Sequence, residues 1–117
     1  IVTTVINALQ NGDFLSTENV EPLEDVIDSL CLEIRRRHIN RIQKNAGTID
    51  QGFVLNDILT DIERIGDHSS NIAGALYDLK NHKTTELHRH LQEYKRENVS
   101  FSEKRAVYAE KYFLKGK

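Results

Sequence analysis

The chain has 117 residues, 38% apolar and 29% charged, with one proline, one cysteine and no tryptophan, which is room for one domain with one core and the profile of a long-helix protein rather than a sandwich or barrel. Cys31 alone cannot make an internal disulfide, and no apolar stretch approaches the ~20 residues of a membrane-spanning helix, so secretion and membrane insertion of this domain are disfavoured. Net charge is -2, yet residues 1–79 carry 13 acids against 6 bases and residues 80–117 carry 5 acids against 10 bases; the basic part is diluted with glutamates and lacks interleaved aromatic platforms, which excludes nucleic acid as the obvious partner.

The chain opens inside an amphipathic run, Ile1 to Leu9, with no capping residue before it. Residues 1–12 therefore read as the end of a helix continuing from a missing N-terminal region, and residues 1–117 as a single helical domain. Asn11-Gly12-Asp13 is a turn signal, and a second helix begins between Ser16 and Pro22, because proline fits only near a helix start. That helix reaches about Lys44, where Gly47 is expected to supply the C-terminal cap. Thr48-Ile49-Asp50-Gln51 reads as a capping box that opens a third helix running to about Leu79. After Asn81-His82-Lys83, Thr84 or Thr85 caps a fourth segment continuing to about Leu114, with Ser100-Phe101-Ser102-Glu103 as a second cap that could split it. At ~1.5 Å rise per residue the long helices would each extend roughly 40–45 Å, which suits an elongated antiparallel three- to four-helix bundle with short loops. On the third helix Leu55, Ile58, Leu59, Ile62, Ile65, Gly66, Ser69, Ile72, Ala73 and Leu76 fall on one face at helical spacing and form the expected core stripe, within or beside which the small residues Gly66, Ser69, Ser70, Ala73 and Gly74 would let a neighbouring helix approach closely.

Two segments place carboxylates four residues apart: Glu24 and Asp28 on the second helix, Glu63 and Asp67 on the third. Side chains at i and i+4 share a helix face, so each pair can aim two oxygen ligands at one cation. Both pairs sit on the shoulder of an apolar stripe, and antiparallel neighbours would let four mutually repelling acids meet. A solvated face with ordinary ion pairs is the competing reading of each pair alone. Asp57 and Asp61 form a third pair with His68 on the opposite shoulder, where Arg64 can simply pair with the acids. His38 lies on the apolar face between Ile34 and Ile42, a position more often taken by a hydrogen-bonded core histidine than by a ligand. Arg35-Arg36-Arg37 could attract phosphate, although a solvated run neutralised by Glu33 is the simpler reading. Cys31 reads as packing, and no pattern supports nucleophilic hydrolysis, so an enzyme is not expected.

The string Asp61-Ile62-Glu63-Arg64-Ile65-Gly66-Asp67-His68-Ser69-Ser70-Asn71-Ile72-Ala73 closely resembles the signature helix of the PhoU family. With Val20-Glu21-Pro22-Leu23-Glu24-Asp25-Val26-Ile27-Asp28, Arg37-His38-Ile39-Asn40-Arg41-Ile42-Gln43, Gly52-Phe53-Val54-Leu55 and the closing Tyr112-Phe113-Leu114, the succession from about residue 20 onward resembles the C-terminal PhoU-like domain of bacterial sodium/phosphate cotransporters. The resemblance implies metal held by Glu63 and Asp67, with Glu24 and Asp28 as the companion element and His38, Asp61 and His68 as weaker candidates. Similar members carry cysteines near Ala46 and at Ser69, so a thiol contribution does not carry over to this chain.

What the resemblance implies is a metal-binding regulatory domain on the cytoplasmic side of the bacterial inner membrane, serving the membrane-embedded transporter domain of the same protein. Oxygen ligation suits iron, manganese, magnesium or calcium, and a histidine would bias the site toward a transition metal such as zinc. Phosphate is a possible ligand. A full member has two three-helix repeats and this chain supplies one, which favours a homodimer. The alternatives are a free-standing PhoU-like regulator of phosphate uptake, a metal-free helical interaction module, and a di-metal carboxylate enzyme, which would need Glu-x-x-His elements that the sequence lacks.

Overall fold

A computed structural model describes residues 1–81 and 99–116. The described residues are helical without strands: α1 over Val2–Asn11, a 3-10 segment over Phe14–Asn19, α2 over Val20–Gln43, α3 over Ile49–Asn81 and α4 over Val99–Lys111. The molecule measures 55 × 25 × 25 Å, the elongated shape that long helices with short connections impose.

Local chemistry sets most of the boundaries. Gly12 ends α1 in the left-handed conformation at φ 61°, open to glycine without a Cβ penalty. Asp13 then accepts from the Ser16 backbone N–H at 3.3 Å and caps the 3-10 segment, which precedes α2 so that α2 itself begins at Val20, within the expected Ser16 to Pro22 window. Pro22 stands at the third position of α2, where its missing N–H leaves no intrahelical bond unmade. At the other end of α2 the cap is not Gly47 as expected but Asn45, at φ 58°. The Asn45 N–H donates to the Ile42 carbonyl at 3.0 Å and the Ala46 N–H to the Arg41 carbonyl at 2.8 Å, which is the Schellman closure with asparagine in the left-handed place. Gly47 instead gives room to the His38 ring, whose Cε1 lies 3.4 Å from where a Cβ would stand. The capping box opens α3 as expected: Thr48 N–H donates to Gln51 Oε1 at 3.1 Å and Gln51 N–H to Thr48 Oγ1 at 3.2 Å. The expected start of the fourth helix at Thr84 or Thr85 lies outside the described residues. Its end falls at Lys111 rather than Leu114, and the Leu114, Lys115 and Gly116 carbonyls beyond it accept from the Arg37 guanidinium.

The five-residue connection from Lys44 to Thr48 makes α2 and α3 an antiparallel hairpin, their contact running along the bundle. Val5 of α1, Val20 of α2 and Ala73 of α3 form one core cluster, with Leu23, Val26, Cys31, Leu59 and Phe101 also buried. α4 packs on α2, and its basic residues answer the acid excess at the start of the bundle: Lys104 pairs with Glu18 at 3.2 Å, and Arg105 pairs with Asp25. The opposite charges of the two chain halves therefore meet within the molecule.

The core stripe of α3 is narrower than its apolar pattern. Leu59 and Ala73 are buried, together with Gly66, Ser69 and Ser70, whereas Ile58, Ile62, Ile65 and Ile72 remain 39–51% exposed. Small residues allow α2 its closest approach, and the bulkier isoleucines fall to the side of that line.

Candidate functional site

Gly66 fixes the geometry of the interface between α2 and α3. A Cβ there would stand 3.6 Å from Glu24 Cγ and 3.9 Å from Ile27 Cγ2, so α2 lies directly over the backbone of α3 at this level. That approach carries the Glu24 side chain into the interface, where the residue is 8% exposed. One turn earlier, Glu21 is 3% exposed and accepts a hydrogen bond from the Ser70 hydroxyl. Sequence reasoning did not select Glu21; its signal was a small hydroxyl residue, Ser70, at the same level of the facing helix.

Glu24, Asp28, Glu63 and Asp67 all belong to this seam. Burial raises the Asp28 carboxyl above the ordinary range, the Glu24 hydrogen bond lowers it in part, and the charges of Asp67, Glu63 and Asp25 raise it further. Glu63 differs. It receives Arg35 in a bidentate pair, Nη1 to Oε1 at 2.5 Å and Nη2 to Oε2 at 3.2 Å, which holds its carboxyl below the usual range. Arg35 Nε also donates to Asn56 Oδ1 at 3.2 Å. Negative charge is thus compensated at the Glu63 end of the seam and crowded at the Asp28 end. Among the described residues no group of three or more histidine, cysteine, aspartate or glutamate side chains is placed to hold a metal ion. The seam offers the hard oxygen donors a cation needs, but they are not drawn together around one point.

The weaker candidates stand elsewhere. His38 is roughly 15–21 Å further along α2 than Asp28 and Glu24, 7% exposed, with Arg41 Nη2 3.2 Å from its Nδ1. Arg41 only donates, so Nδ1 accepts and the ring proton belongs on Nε2, a buried atom without a hydrogen-bond partner. Gly52 makes room for that ring, since a Cβ there would be 3.0 Å from Nε2. An open groove of about 350 Å³ adjoins it, lined by Arg35, His38, Ile42, Gly52, Phe53 and Asn56. Asp61 and His68 are exposed, and Asp61 lies 3.8 Å from Arg64.

The arginine run divides three ways. Arg36 and Arg37 both hold Glu33, whose carboxyl drops to about 2 on those hydrogen bonds, while Arg37 also binds the closing backbone and Arg35 serves Glu63. Burial, with the nearby Glu63 charge, pushes the Cys31 thiol up, and its Sγ–H points to the Leu59 carbonyl at 4.0 Å, consistent with packing. Among the described residues no helix is long and apolar enough to cross a membrane.

A protein-family profile described as PhoU domain matches residues 1–76 of the 117. No curated protein and no solved structure matches the chain.

Proposed function

This chain belongs to the PhoU domain family, and from that premise we propose that it is a regulatory rather than catalytic module of phosphate uptake, whose seam between α2 and α3 takes a divalent or transition metal cation. In this reading it serves the membrane-embedded domain of a sodium-dependent phosphate transporter, on the cytoplasmic side of the membrane. The observation that carries the cation reading is the crowding of acids around Asp28, with Glu24, Asp67 and Glu63 on two facing helices and Arg35 compensating one of them.

A bound cation supplies positive charge that joins the two helices through oxygen ligands. Glu24, Asp28 and Asp67 would hold it, with Glu63 as the fourth donor once released from Arg35. That exchange links occupancy of the seam to the arginine run. Arg35 leaving Glu63 frees a guanidinium beside Asn56, at the hairpin end of the bundle.

Elemental analysis of the purified, metal-loaded chain and of a Glu63→Ala/Asp67→Ala variant tests the proposal. Stoichiometric metal in the parent and its loss from a folded variant is the expected result. Equal metal in both, or none in the parent after loading, overturns the seam as the site and leaves a metal-free interaction module.

A further inference from the structure

The groove at the hairpin end of the bundle is apolar in its walls and one-sided in its hydrogen bonding. Ile39 and Ile42 of α2 and Ile49, Phe53 and Leu55 of α3 line it, and Ile39, Ile49 and Phe53 are 55%, 66% and 68% exposed. Its volume of about 350 Å³ lies at the low end of small-molecule pockets, roughly 300–1,000 Å³. A single exposed apolar side chain needs no explanation, but several around one concavity leave a surface that an apolar body would cover.

The polar side chains in that lining are Arg35, His38 and Asn56, and what they offer is donors. Arg35 gives one N–H each from Nη1 and Nη2 to Glu63 and its Nε–H to Asn56, which leaves one N–H on each Nη. Asn56 Oδ1 is engaged by that Nε–H, so the amide NH2 is the group left facing away from Arg35. His38 accepts from Arg41 at Nδ1 and so carries its proton on Nε2, a buried atom without a hydrogen-bond partner. That Nε2 stands 3.0 Å from where a Gly52 Cβ would be, and so borders the space this glycine leaves in the groove. Among the described residues no acidic side chain lines the groove. A buried donor left unpaired is costly, and donors converging beside an apolar wall select a ligand that accepts.

We propose that this groove binds a small carboxylate with an apolar body, of which a medium-chain fatty acid anion is the simplest example. The carboxylate oxygens accept from the remaining Arg35 N–H groups and the Asn56 amide, and the body lies against Ile39, Ile42 and Phe53. Glycines stand on two sides of the His38 ring, Gly47 and Gly52, so a tilt of the ring brings its Nε2–H to the same oxygens. Neither half of such a ligand suffices alone. Inorganic phosphate supplies acceptors but covers no apolar side chain, and a neutral alcohol supplies the body without the charge that a guanidinium attracts. The proposal does not rest on the cation reading, since the N–H groups it uses are present while Arg35 holds Glu63.

Titration of octanoate into the metal-free whole chain, followed by heteronuclear NMR, tests the assignment. The expected result is saturable shifts at Gly52, Phe53 and the His38 ring, with a dissociation constant on the order of 1 mM or tighter. Inorganic phosphate and octanol should each bind at least about tenfold more weakly. Asn56→Asp keeps an oxygen for the Arg35 Nε–H and replaces the amide NH2 with a second carboxylate oxygen, so it should weaken octanoate at least about tenfold with unchanged helical circular dichroism. Phe53→Ser, at an exposed side chain, should weaken it about threefold without unfolding the chain. No saturation by about 10 mM octanoate, phosphate or octanol binding as tightly as octanoate, or binding indifferent to both variants overturns the proposal.

Discussion

The inner and outer faces of α3 are built from the same residue types and end in different environments. Each carries apolar side chains at helical spacing and a pair of acids four residues apart: Leu59, Glu63 and Asp67 toward α2, and Ile58, Asp57 and Asp61 toward solvent. Leu59 is 2% exposed and its neighbour Ile58 is 51% exposed. Glu63 faces Arg35 and Asp67 raises the Asp28 carboxyl, whereas Asp61 has a long contact to Arg64 within its own helix. Spacing alone makes a carboxylate pair; a second helix against Gly66 and Ser70 makes it part of a seam.

Substitutions at matched positions break or sharpen this contrast. Leu59→Ala should cost about 2–5 kcal/mol in chemical denaturation, as for other fully buried leucines, while Ile58→Ala on the outer face should cost about 1 kcal/mol or less because half its surface already meets water. Comparable losses would mean the two faces are equally packed. Within the inner face, Gly52→Ala should destabilise by about 1 kcal/mol net, since its Cβ would press the buried His38 ring at 3.0 Å against the gain in helix propensity. Gly66→Ala, with its nearest contact at 3.6 Å, should be neutral or stabilise by up to about 1 kcal/mol. Asp28→Asn should stabilise the metal-free chain by less than about 0.5 kcal/mol, small because the Asp28 carboxyl is only partly desolvated by the seam and its outer side still meets screening solvent.

The pH dependence carries the same sign pattern. Glu33 and Glu63 are lowered by their arginine partners, so their stabilisation is present above the ordinary carboxylate range and is lost as pH falls through their lowered values. Asp28 is raised, chiefly by burial, so its unfavourable ionised form is relieved first as pH falls. Denaturation midpoints should hold level or rise slightly on mild acidification and then decline. A steady loss from neutral pH downward would show that the Asp28 carboxyl is not raised.

Much of the architecture was readable where the cause is local. The Thr48 to Gln51 box, the Gly12 turn and Pro22 near a helix start each depend on neighbours within a few residues. Asn45 displaced Gly47 as the cap because asparagine also tolerates the left-handed conformation, a choice the sequence left open. Contacts between distant residues were harder to read. Both acid pairs were visible, but the hold of Arg35 on Glu63, 28 residues away, and the burial of Glu21 against Ser70 follow from which face of α2 turns toward α3. The charge contrast between the chain halves was plain, and its resolution by Lys104 and Arg105 on Glu18 and Asp25 needed the packing of α4 on α2.

The central claim is that the seam, not the outer acid pair, takes a cation. Calorimetric titration of manganese(II), an ion suited to oxygen ligands, into the metal-free chain and two variants tests it most directly. Saturable binding should persist in Asp57→Asn/Asp61→Asn and vanish in Asp28→Asn/Asp67→Asn. Binding retained in the seam variant, or lost in the outer one, would contradict the claim.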